Sequence, residues 1–157
     1  MQLAELNVAR LLAPIDSPQL AGFVNQLDEI NALAEASPGF VWRFDGDARL
    51  GTTSVPDDPL LLINLSVWQD VDALFAFTYQ SLHKRPLGGR RDWFERPTEA
   101  HLVMWWVEDG HRPGVDEALA RLALLRRDGP SPLAFDFRRR FDADGRERTE
   151  KPGTVTA

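Results

Sequence analysis

Between Tyr79 and Phe94 the chain reads YQSLHKRPLGGRRDWF and gathers one histidine, four strong bases and three aromatic rings into a single connection. Imidazole is the side chain whose unperturbed pKa lies near neutrality, so His83 offers a proton-transfer group. Arg90 and Arg91 would suit an anionic group or a phenolate; equally, adjacent arginines form solvated faces and salt bridges, and only one of two neighbours is expected to turn inward. Tyr79 lies four residues before His83, which puts both on one face if the preceding helix persists that far. As a helix-end residue His83 could instead serve only the last carbonyls. Pro86, Gly88 and Gly89 interrupt regular structure, so the segment is expected to be a loop that drapes His83, Arg90 and Arg91 over what its flanks enclose. Trp93 and Phe75 supply aromatic surface beside it.

A second set of polar groups sits inside strand-like runs. In LLLINLSVW (60–68) the members Asn64 and Ser66 share a face with Trp68, and the alternate residues Leu61, Ile63, Leu65 and Val67 are hydrocarbon. Asn7 can join that face from the first strand. Polar groups on such a strand cost ~1 to 3 kcal/mol each when unsatisfied, so they either bond one another or face a ligand. The five tryptophans can alternatively be core and interface.

Composition removes several chemistries. Eighteen Lys and Arg against 24 Asp and Glu leave a net charge of −6, which argues against nucleic-acid or acidic-membrane binding. Without cysteine there is no disulfide, thiolate site or cysteine nucleophile. His83, His101 and His111 lack metal-ligand spacing, Gly88-Gly89 lacks the strand-to-helix setting of a phosphate loop, and no nucleophile elbow is present. No run approaches the ~20 apolar residues of a membrane span, so a cytoplasmic protein is expected.

These residues need a scaffold. Length and hydrophobic content of 157 residues and 43% predict one domain, residues 1–141, followed by a polar, flexible tail, 142–157. Alternation predicts strands over 2–9, 40–44, 60–68, 101–107 and 133–141. Helical spacing predicts an 18-residue helix ending before Ser37-Pro38-Gly39, a helix capped by Asp70, and a third over 115–127. Residues 45–59 read as a long connection or irregular hairpin. The order βαββαβ, with an added helix and strand, predicts an α+β, ferredoxin-like antiparallel sheet with both helices on one face. The uncovered apolar face predicts a homodimer.

This order, together with NLSVWQDVDAL (64–74), resembles the dimeric α+β barrel superfamily that includes antibiotic biosynthesis monooxygenases and haem-degrading monooxygenases. Within it, LNVAR, SVWQDVDALFAF, RRDWFER, LVMWWVEDGHRP and GPSPLAFDFRR most resemble a domain-of-unknown-function family, and they span most of residues 3 to 139. The haem-degrading relatives are similar through Asn7, Trp68 and His83, which would make His83 an axial ligand. The cofactor-independent, quinone-forming relatives are similar through Asn64 and Trp68, with Tyr79 and Arg90 or Arg91 as possible partners. Two main expectations follow. One is a monooxygenase-like enzyme without cofactor, in which His83, Tyr79 and Asn64 act on a flat aromatic or polyketide-like molecule held by Asn7, Ser66, Trp68, Phe75, Arg90, Arg91 and Trp93. The other is a non-catalytic small-ligand-binding or structural dimer, with haem binding as an intermediate alternative.

Overall fold

The computed structural model describes residues 1–46, 55, 57–84 and 90–151; at 82–84 it describes the helical backbone alone. Four strands form one sheet: β1 (Gln2–Arg10), β2 (Phe40–Arg43), β3 (Leu61–Trp68) and β4 (Leu102–Val107). Their order is β2-β3-β1-β4 and every pairing is antiparallel. The fold is α+β, and the sheet is open. β1 is central, with Glu5 opposite Ser66 on one side and Met104 on the other, and Asn7 opposite Asn64 and Leu102.

Alternation gives the sheet two apolar faces. Leu3, Trp68, Met104 and Trp106 point to one, under α2 (Leu27–Glu35) and α3 (Val71–Lys84), which contribute Ala34, Val71 and Leu74. Ala4, Leu6, Leu65, Val67, Val103 and Trp105 point to the other, where α5 (Val115–Asp128) lays down Ala118, Leu122 and Leu125. Helices therefore cover both faces. The uncovered face from which the sequence predicts a second copy is closed by the added helix over β1 and β4, while Trp42, Phe44, Leu61 and Ile63 toward β2 and β3 are only partly buried.

Local chemistry sets the element ends. Asp70 caps α3 by accepting the Ala73 N–H at 2.8 Å. Gly114 precedes α5, Asp116 and Glu117 occupy its first turn, and Gly129 closes it at φ 75°. Gly39 turns α2 into β2 at φ 84°, where a Cβ would collide with that of Ala73.

Four expectations change. The long first helix is broken: a 3₁₀ turn (Pro18–Leu20), α1 (Ala21–Val24) and α2 are separate pieces. The loop expected from Tyr79 is helical through Lys84, and Arg90–Trp93 forms a further helical turn, α4. Residues 133–141 are not a continuous strand; Ala134 and Phe135 make isolated bridges, because Phe135 pairs both its backbone groups with Met104 at the edge of β4. The chain beyond 141 does not simply fray: β5 (Arg140–Phe141) and β6 (Glu147–Arg148) form a hairpin turning at Gly145. Most of the 45–59 connection lies outside the described residues.

Candidate functional site

The most unusual group in the fold is the carboxylate of Glu5. It points from the middle of the central strand toward the α2 and α3 side, and only 3% of its surface is accessible. Two neutral donors hold it: Asn7 Nδ2 donates to Oε1 at 2.7 Å and Ser66 Oγ donates to Oε2 at 3.0 Å. The Trp68 indole N–H donates to Ser66 Oγ at 2.9 Å. Indole is a donor only, so the Ser66 oxygen accepts and its own hydrogen is left for Glu5. Trp68 is itself fixed by stacking on Phe77, with centroids 5.1 Å apart, and by the edge of Phe40.

Burial decides the protonation state. Removing an ionised carboxylate from water without a counter-cation favours the neutral acid. The two hydrogen bonds work the other way, and burial wins, raising the Glu5 pKa from 4.5 to about 7. A carboxyl poised there can take up or release a proton at neutral pH, the property of a general acid or base.

Glu5 lies in the wall of a cleft of about 1540 Å³, together with Asn7, Asn64, Ser66 and Trp68. Leu74, Phe77 and Thr78 of α3 face the same space, and Arg90, Arg91, Trp93 and Arg96 border it from the chain around α4. That chain is pinned to the end of β1: Leu12 N–H donates to Trp93 O at 2.9 Å and Glu95 N–H to Arg10 O at 2.8 Å. Gln19 Nε2 adds a bond to Asp92 O at 2.7 Å. Phe23 packs on Trp93 and Phe94, and Gly22 lets the indole of Trp93 approach to 3.0 Å of the position a Cβ would take.

The structure thus brings together Asn7, Asn64, Ser66, Trp68, Arg90, Arg91 and Trp93 along one cleft. Asn64 is exposed at its rim, Asn7 half-buried, and Ser66 and Trp68 buried. Tyr79 and Phe75 do not join them. They stack on each other at 6.4 Å on the opposite side of α3, where Phe75 meets Phe137 and Tyr79 is 55% exposed. Position 83 lies in the last turn of α3; the His83 side chain lies outside the described residues. Trp68 gives its N–H to Ser66 and Asn7 gives one to Glu5, so the two described members of the expected haem trio are engaged within the protein. No three His, Cys, Asp or Glu side chains converge as a metal set among the described residues.

Glu5 is the residue that sequence reasoning left unmarked. Its signal was present: in LAELN (3–7) it shares a strand face with Leu3 and Asn7, and an acid on an apolar strand face must be either exposed or specifically satisfied.

No curated protein and no solved structure matches the chain. The sequence profile described as "Domain of unknown function (DUF3291)" matches residues 2–151, and the chain belongs to that family.

Proposed function

We propose that the cleft is the site of a small-molecule enzyme in which Glu5 takes a proton from a flat, electron-rich substrate. The observation that carries this reading is the buried carboxyl held at the cleft wall by Asn7 and Ser66, with no counter-cation among the described residues. Phe77, backed by the buried Trp68, gives the cleft an aromatic side suited to a planar ring system. Arg90 and Arg91, at the other side, suit the oxygens of a phenolate. Glu5 takes the proton-transfer role for which the sequence offers His83 and Tyr79.

The resemblance to cofactor-independent monooxygenases supplies a reaction for such a base. A C–H proton passes to Glu5 and the carbanion adds to dioxygen. The peroxide takes a proton back and loses water to leave a carbonyl. Each turnover consumes one dioxygen and releases one water. Anthrone, which this sequence of steps converts to anthraquinone, is a suitable probe. Dioxygen uptake and quinone formation should both exceed the buffer rate, rise with pH as Glu5 ionises, and be lost in Glu5→Gln. A rate unchanged by Glu5→Gln would contradict the assignment.

The strand order β2-β3-β1-β4, with α2 and α3 on one side, supports a ferredoxin-like arrangement within the dimeric α+β barrel superfamily. A homodimer would use the partly buried Trp42, Phe44, Leu61 and Ile63 on the α5 side of the sheet. Light scattering distinguishes a dimer from a monomer.

A further inference from the structure

The cations along the cleft fall into two groups. Arg10 is paired with Asp58 at 2.8 Å, Arg43 with Glu35 at 2.8 Å and Arg126 with Glu99 at 3.3 Å. Arg90, Arg91 and Arg96 are exposed, border the same cleft and have no acid within ion-pairing reach among the described residues. Asp92 and Glu95 lie between them in sequence without bridging to any of the three. In a protein of net charge −6, three unmatched guanidinium groups within seven residues form a local positive edge. Guanidinium is weakly hydrated and presents a planar fork matched to carboxylates, sulfonates and phosphates.

The edge is also held in place. Backbone bonds from Leu12 and Glu95, the Gln19 amide, and the packing of Trp93 over Gly22 fix α4 against the start of the chain. An anion arriving there would meet three guanidinium groups carried on a fixed stretch of backbone, so only the side chains have to be ordered on binding. The backbone contact of this segment with β1 falls at Arg10, five residues from Glu5, a separation of about 17 Å at 3.3 Å per residue. Glu5 and the three arginines all border the cleft that runs over this interval. A ligand touching both is therefore elongated, the size of two or three fused rings.

We infer that the ligand of this cleft is an elongated, flat organic anion, whose acidic group is read by Arg90, Arg91 and Arg96 while its labile proton is directed at Glu5. This rests on the proton-transfer reading above and adds the charge and length of the substrate. It gives α4 the part of a selectivity element.

The test compares 2-naphthoate with its neutral counterpart 2-naphthamide by calorimetric titration. The proteins are the wild-type chain and the combined Arg90→Gln, Arg91→Gln, Arg96→Gln variant, whose circular dichroism reports that the fold is retained. Wild-type protein should bind 2-naphthoate at least tenfold more tightly than the amide. The preference should shrink in high salt and fall to near one in the variant. Equal affinity of the two probes for wild-type protein would overturn the inference, as would a preference that survives in the variant. In either case a change of the Glu5 carboxyl resonance on binding 2-naphthamide would leave the proton-transfer reading standing. Failure of wild-type protein to bind 2-naphthoate would also overturn the inference, while dioxygen uptake with anthrone decides the proton-transfer reading separately.

Discussion

Replacing Glu5 with Gln keeps the shape of the side chain and one acceptor while removing the ionisation. In the native protein burial pushes the carboxyl up to about 7, against 4.5 for an ordinary glutamate. Between those values the folded state binds more protons at this position than the unfolded state does, so the stability of the wild-type protein declines as pH rises. The contribution is fully present below about 4.5 and is lost through about 7. At 1.36 kcal/mol for each pH unit, the gap corresponds to about 3 kcal/mol. Glu5→Gln should abolish it. Urea unfolding of both proteins from pH 5 to 8.5 is the assay, and the difference between the curves cancels groups they share. Those include Asp58, Asp128 and Glu147, whose carboxyls are held low by hydrogen bonds from Arg10, Arg127 and Arg139. Wild type should lose about 2 to 3 kcal/mol relative to the variant across this range. Parallel curves would mean that Glu5 ionises as it does in water, and would refute the reasoning from burial.

Ser66→Ala removes a donor from Glu5 and the acceptor of Trp68 together. It should destabilise the fold by about 1 to 3 kcal/mol and move the Glu5 titration further upward; an unmoved midpoint would show that Ser66 does not hold the carboxylate. Gly39→Ala places a Cβ at φ 84° against Ala73, with an expected loss of about 2 kcal/mol or more in chemical denaturation; a neutral result would contradict the close approach of this turn to α3. Arg140 is 4% exposed, and its Nε and Nη1 have no hydrogen-bond partner among the described residues. Desolvation, then the neighbouring Arg148, depresses its pKa. Arg140→Met should be neutral or stabilising, by about 1 to 3 kcal/mol in urea; a clear loss would show the guanidinium to be paired in solution.

The sheet was legible because its signal is periodic. QLAELNVAR, LLINLSVW and LVMWWV carry alternation that survives into the structure almost residue for residue, and the shared face of Asn7, Asn64, Ser66 and Trp68 follows from that period alone. Gly129 and the Asp70 cap were equally local signals. What escaped was whatever depends on tertiary context. The stripe from Leu20 to Ala36 spaces like one helix, yet Phe23 packs on Trp93 and Phe94 while Ala34 packs toward α3, and the chain breaks at Asn25-Gln26 between them. LAFDFRRRF alternates like a strand, but Phe135 bridges β4 and Arg140-Phe141 starts a separate hairpin. Glu5 was missed for the reason that makes it chemically interesting. Its type is that of a surface residue, and only the helices packed above β1 turn it into a buried acid. The spacing from His83 draws Tyr79 to the site, whereas the described side chains of α3 that bury are Val71 and Leu74, with Tyr79 on the outer face.

The titration of the Glu5 side-chain carboxyl by carbon-detected NMR, assigned by comparison with Glu5→Gln, measures the central quantity without any substrate. A midpoint near 7, rising further in Ser66→Ala, is the result expected of a buried acid ready to exchange a proton at neutral pH. A midpoint near 4.5 in the folded protein would mean that Glu5 is solvated and ordinary, and would remove the proton acceptor from the cleft.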